Sequence, residues 1–167
     1  DPSVYDVIVI GGGPGGYASA LYAHNFGLSV ALVEKERVGG TCLIRGCIPA
    51  KTWLQAADVF TTVKGAGTFG VNVAGDVSFD WSAGLERKNK IVDGLVKGLS
   101  GLLKQRNVEV INGLGRITGS NSVTVTTDDG EQALEGRHIV VATGSVPRSI
   151  PGFEYDGTSI VSSDHAL

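Results

Sequence analysis

Cysteine is scarce in this chain of 167 residues: there are two, Cys42 and Cys47. That is too few for the disulfide framework of a small secreted fold, and the pair is too close together to staple a long loop. A basic excess is missing as well. Fourteen Lys and Arg against 17 Asp and Glu give a formal charge of −3, which excludes a strongly basic nucleic-acid binder and a disordered acidic chain. No apolar stretch approaches the ~18 residues that cross a membrane, and no charged-then-apolar leader precedes a small-residue cleavage site. A cytoplasmic protein without nucleic-acid or membrane partners is expected. Histidine is limited to His24, His138 and His165, none spaced as a metal motif around the thiols; each is read as structural, and no metal site is expected. Methionine does not open the chain, and a loop-like stretch closes it, so both ends are expected to be processed or truncated.

Glycine is abundant. Its 25 residues are about twice the usual share without a collagen triplet, which suits loops that wrap a ligand closely. The run VYDVIVI over Val4–Ile10 reads as a strand buried on both faces of a parallel sheet. Small and apolar residues at helical spacing follow from Pro14 to Phe26, Gly27 stops them, and Leu28–Val33 reads as a second strand. One long helix is expected over Cys42–Val63 and another over Ser78–Gln105. In the latter, Gly94, Gly98 and Gly101 are read as marks of close packing. Short β segments are expected at Val108–Ile111, Arg116–Ile117 and Ser122–Thr127, then a buried parallel strand over Arg137–Ala142. The fold class is α/β: a Rossmann-like nucleotide-binding fold with a central parallel sheet, flanking helices and a small antiparallel β segment. It spans residues 1–150, with 151–167 as a connector.

Gly11-Gly12-Gly13-Pro14-Gly15-Gly16 satisfies G-x-G-x-x-G between a strand and a helix, where the pattern has a mechanism. Gly11 permits the turn, Gly13 lets backbone approach a pyrophosphate, Gly16 lets helix and strand pack, and the helix N-terminus beginning at Pro14 offers its free N–H groups. Glu34 closes the second strand, where a carboxylate can accept from ribose hydroxyls. A second match, Gly65–Gly70, follows a helix and leads no helix in, so it is read as a loop.

Cys42 and Cys47 sit in Gly39-Gly40-Thr41-Cys42-Leu43-Ile44-Arg45-Gly46-Cys47-Ile48-Pro49-Ala50-Lys51. Residues five apart on an undistorted helix lie farther apart than a disulfide comfortably spans, and Gly46 supplies the backbone freedom to shorten the distance. Three readings stand: a redox-active dithiol, two unrelated buried cysteines, or a metal-binding pair. Four ligands for zinc are not in evidence, and the first reading is favoured.

Together, GGTCLIRGCIPAK, the glycine loop and the acidic strand end resemble the flavin-adjacent disulfide region of the pyridine-nucleotide disulfide oxidoreductases. The likeness extends through KIVDGLVKGLSGLLKQRNVEVINGLGRI and Ala142-Thr143-Gly144-Ser145-Val146-Pro147. It implies FAD at Gly11, Gly13, Pro14, Gly16, Glu34, Lys35, Gly40, Thr41, Cys42, Lys51, Gly115, Ala142, Thr143 and Gly144. It implies catalytic roles for Cys42, which exchanges with substrate, for Cys47 beside the flavin, and for Lys51 as a cation near both. The likeness is strongest to the branch that oxidises dihydrolipoamide, carried on an acyltransferase of a 2-oxoacid dehydrogenase complex, with NAD as acceptor. Glutathione-type and mercuric reductases share the cysteine spacing, and a noncatalytic redox sensor would use the same pair as a switch. The resemblance further implies an NAD-binding fold, a dimerisation domain of a homodimer and a His–Glu acid/base pair outside these residues, so that this portion alone does not turn over.

Overall fold

The first strand, β1 (Ser3–Ile10), is buried along its last four residues because sheet neighbours flank it and a layer covers each face. The structure, a computed structural model, describes residues 3–167, so the first two residues of the expected nucleotide-binding domain lie outside the described residues. From β1 the chain turns through Gly11, at φ 107°, into α1 (Pro14–Asn25), which opens on a proline at its first turn, where the missing N–H costs nothing. Gly27, at φ 74°, ends α1 and returns the chain to β2 (Val30–Glu34).

Next come α2 (Gly40–Arg45) and α3 (Cys47–Lys64). The single helix expected over Cys42–Val63 is thus two, broken at Gly46, whose φ of −144° and ψ of −110° leave the helical region. A Cβ at Gly46 would lie 2.8 Å from the Thr41 carbonyl oxygen, so only glycine fits this tight break. The second glycine match forms a short 3-10 turn at Ala66–Phe69 within the expected loop. Helix α4 (Trp81–Gln105) starts where the Asp80 carboxylate accepts from the Ala83 N–H at 3.0 Å, satisfying one orphan donor of the first turn. Gly94, Gly98 and Gly101 correct the packing reading: a Cβ at any of them meets nothing within 4 Å.

The remaining strands are β3 (Glu109–Asn112), β4 (Leu114–Ile117), β5 (Ser122–Thr127) and β6 (Gly130–Val141), and a short helix α5 (Ser163–Ala166) lies near the end. The sheet order is β3-β2-β1-β6-β5-β4, with β3, β2, β1 and β6 parallel and β4–β5–β6 antiparallel. Strand β6 starts seven residues before the expected Arg137. Its first half pairs with β5, its second only with β1.

Only Gly113 separates β3 from β4, yet these are the two edges of the sheet. The meander β4–β5–β6 must therefore curl back over one face. Its Val123, Val125 and Leu134 bury against Tyr5, Ile8, Ile10 and Val33 there. On the opposite face Ala20 of α1 and Leu103 of α4 close over Val7, Val9, Val30 and Leu32. Gly136, where β6 changes partners, lies so near the sheet that a Cβ would meet Ile8 at 2.8 Å. Ile10 pairs with both Val33 and Val141, so β1, β2 and β6 end level. Their outgoing loops open at the carboxyl edge, the place where open α/β sheets bind ligands.

Candidate active site at the carboxyl edge of the sheet

Three loops converge at that edge, and their glycines decide how closely. A Cβ on Gly16 would sit 1.7 Å from the Gly11 carbonyl oxygen, one on Gly11 2.2 Å from that of Ala142, and one on Gly40 2.5 Å from the Gly13 Cα. Backbone therefore meets backbone, leaving a cleft of about 550 Å³ floored by main chain. Helix α1 points its N-terminus at this cleft with no side-chain cap and no acidic residue in its first turn. Its free N–H groups and positive dipole end suit an anion such as a pyrophosphate.

Glu34 ends β2 at the rim. Its Oε2 accepts from the Gly12 N–H at 2.6 Å and its Oε1 from the Glu36 N–H at 2.8 Å. Each oxygen keeps a second lone pair for a hydroxyl donor. The glycine loop, the acidic strand end and the Ala142–Gly144 turn together fit an adenine dinucleotide, for which Glu34 would be the hydroxyl acceptor and the N-terminus of α1 the phosphate donor set.

Cys42 and Cys47 line the same cleft and form a disulfide with a Cα separation of 4.7 Å. The break at Gly46 makes that separation possible. Cys47 is the first residue of α3, a helix of 18 residues with no acidic side chain in its first turn, so a thiolate formed there faces a positive helix end.

Most of the expected residues come together here. Gly11, Gly13 and Pro14 line the cleft from the glycine loop, and Glu34, Lys35, Gly40 and Thr41 from the far side of β2. Ala142, Thr143 and Gly144 close it from β6, while Gly16 is buried beneath the turn. Two expected residues are not among those that line the cleft. Lys51, one turn beyond Cys47, is exposed and outside the cleft lining. Gly115 lies in β4, where a Cβ would stand 3.2 Å from Ile10 and Val33, so packing against the sheet accounts for its lack of a side chain. Of the histidines, His165 closes the capping box of α5 and His138 is exposed on β6. Sequence reading missed Glu36, Arg37, Arg45 and Asp164, which also line the cleft. A charged residue between the two cysteines was the available signal for Arg45; none pointed to Asp164.

A larger groove of about 920 Å³ runs between α3 and α4, lined by Trp53, Phe60, Phe79, Trp81 and Leu85. No ionisable side chain lines it, so the chemistry belongs to the smaller cleft.

Comparison with known proteins agrees with this geometry. The pyridine nucleotide-disulphide oxidoreductase family matches over residues 5–167. A dihydrolipoyl dehydrogenase of Bacillus subtilis is 43% identical across 98% of this chain and 36% of its own length. One from Acholeplasma laidlawii is 47% identical across 98% of this chain and 48% of its own. This chain therefore spans between about a third and a half of those relatives. Among solved structures, the Cu(II) complex of the HOCl-induced flavoprotein disulfide reductase RclA from Escherichia coli superposes with a TM-score of 0.72 at 28% identity, over 87% of this chain and 30% of that one. With its bridged cysteines opening onto the cleft of the glycine loop, the chain belongs to the pyridine nucleotide-disulphide oxidoreductases, FAD-binding flavoprotein enzymes with a disulfide redox centre.

Proposed function

We propose that the whole protein oxidises dihydrolipoamide to lipoamide with NAD as the final acceptor, and that residues 3–167 supply its FAD cradle and its exchanging disulfide. One observation carries the reading: Cys42 and Cys47 are joined across a helix break on the wall of the same cleft that the uncapped N-terminus of α1 enters. The relatives named dihydrolipoyl dehydrogenase support the choice of substrate.

The residues account for the exchange. A substrate thiolate attacks Sγ of Cys42, the Cys42–Cys47 bond breaks, and Cys47 departs as a thiolate. The N-terminus of α3 stabilises that leaving group. The second substrate thiol then attacks the substrate sulfur of the mixed disulfide, expels Cys42 and closes the lipoamide ring. Two electrons now rest on the Cys42/Cys47 dithiol. FAD, when bound, would supply the two-electron acceptor that links this dithiol to the nicotinamide nucleotide. Lys51, one helical turn from Cys47, is the cation assigned to the negative charge left on that side. Gly115 remains assigned to backbone contact near the adenine. The whole protein acts as a homodimer, with an acyltransferase-borne lipoyl group as its partner.

The test is a paired assay of the full-length protein with dihydrolipoamide and NAD against glutathione disulfide and NADPH. Thiol-dependent NADH formation is expected, falling by more than about a thousandfold in Cys42→Ser, as loss of a nucleophilic centre does, while flavin absorbance is retained. Preferential reduction of glutathione disulfide would assign the chain to a sibling reductase. Protein without flavin colour would favour a redox sensor.

A further inference from the structure

We propose that Arg45 is a positioning residue that couples occupancy of the FAD cradle to the redox state of Cys42–Cys47, an inference that rests on the reading just given. Arg45 stands between the two cysteines, at the last position of α2, with its side chain only one-third exposed, at 33%. Its guanidinium bonds the Glu36 carboxylate, and its Nη1 lies 3.8 Å from Asp164 Oδ2 near the end of the chain. Glu36 is in turn held by its own N–H, which donates to Glu34 Oε1 at 2.8 Å, and the other oxygen of Glu34 accepts from the Gly12 N–H at 2.6 Å. An unbroken set of contacts thus runs from the glycine loop, through the ribose-side carboxylate, to the segment between the thiols. Glu34, Glu36, Arg45 and Asp164 all line the one cleft.

An exposed ion pair by itself contributes little. This one differs in what it joins. When a small dithiol reduces the disulfide, the S–S bond breaks, two electrons and two protons pass to the cysteines, and the reductant leaves as its own disulfide. The cross-link between Cys42 and Cys47 is then gone, leaving only the main chain through Gly46 between α2 and α3. The start of α2 is still held to the glycine loop by the Gly39 N–H, which donates to the Gly12 carbonyl at 2.7 Å, and the Arg45–Glu36 contact is the side-chain tie at its other end. A bound dinucleotide orders the Glu34 end of that set, and the disulfide orders the Arg45 end. Each therefore favours the other. By linkage, the factor by which disulfide reduction weakens FAD binding equals the factor by which bound FAD disfavours reduction.

The measurement uses full-length holoprotein without nicotinamide nucleotide, kept oxidised or reduced anaerobically by two electrons only, with one equivalent of dithiothreitol. Retained oxidised-flavin absorbance shows that the electrons rest on the cysteines. Released FAD is separated by ultrafiltration and quantified after reoxidation in air. The wild-type protein is expected to hold FAD about fivefold more tightly when the disulfide is intact, within the usual range of coupling between sites. In Arg45→Met and Glu36→Gln that ratio falls clearly below the wild-type value, and Arg45→Lys restores part of it. A general loss of stability would weaken both forms alike and leave the ratio unchanged. If the ratio is one in the wild type, or is undiminished in Arg45→Met, the coupling is refuted. Protein that carries no flavin at all refutes the FAD reading instead.

Discussion

At Gly16 a methyl group has no room: it would fall 1.7 Å from the Gly11 carbonyl oxygen, a backbone atom that cannot swing aside. Gly16→Ala is expected to force α1 off β1, destabilise the protein by about 3 kcal/mol as overpacked sites do, and release FAD. Thermal melts and flavin content check this. Gly67→Ala, in the second glycine match, meets nothing within 4 Å and is expected to change stability by less than about 0.5 kcal/mol. The two patterns look alike as strings and differ only in what flanks them, which is why the strand before Gly11 and the helix after Gly13 made the first one legible. Tyr5 was not legible in this way. Its hydroxyl donates to Glu109 Oε2 at 2.7 Å, across 104 residues, and burial, with the Glu109 carboxylate second, pushes its pKa up from 10.0 to about 12. The folded state keeps this proton longer than the unfolded chain does. The associated stability is therefore complete below pH 10 and drains away as pH rises towards about 12. Denaturant midpoints measured across that window should fall with pH in the wild type and more shallowly in Tyr5→Phe; equal slopes would remove Tyr5 from the alkaline response.

Among elements, those whose burial is uniform were read most directly. The last four residues of β1 and the first four of β2 are all buried, so an uninterrupted apolar run is the whole signal. Strand β6 carries two signals in one strand. Over Gly130–Gly136, Leu134 and Gly136 are buried between exposed Ala133, Glu135 and Arg137, a half-covered alternation that gains meaning only once β5 pairs with it. The break between α2 and α3 was hidden for a related reason. Helical spacing persists on both sides of Gly46, and only its close approach to Thr41 interrupts it. In α4, small residues suggested a packed neighbour, whereas Gly94, Gly98 and Gly101 face open space. Glycine inside a helix then has only its entropic cost, so the triple replacement by alanine should stabilise the chain by about 2 kcal/mol. A rise of several degrees in the thermal midpoint is the expected result. A fall would mean that this face of α4 is covered by another part of the protein.

At the scale of the molecule, two hollows of about 550 and 920 Å³ have opposite chemistry. The cleft at the carboxyl edge gathers Glu34, Lys35, Glu36, Arg37, Arg45 and Asp164 around main chain, and water can fill it without cost. The groove between α3 and α4 is different: Leu54 is 63% and Trp81 73% exposed, and Trp53, Phe79 and Trp81 stack edge to tilt with ring centroids 5.0–6.3 Å apart. Contiguous apolar surface of this kind drives association in water. The 167-residue chain by itself is therefore expected to bind an apolar fluorescent dye and to self-associate as its concentration rises. Both should diminish when Leu54 and Trp81 are replaced by lysine, because two charges placed in the groove oppose its desolvation. The cleft lies apart from this surface, so the double variant should still yield no free thiol before reduction and two after it. Dye fluorescence and sedimentation that do not respond to the lysines would place the sticky surface elsewhere. A thiol count that changes would show that the α3–α4 face and the disulfide are one mechanical unit, since α3 carries Cys47 at one end and contributes Trp53 and Phe60 to the groove along its length.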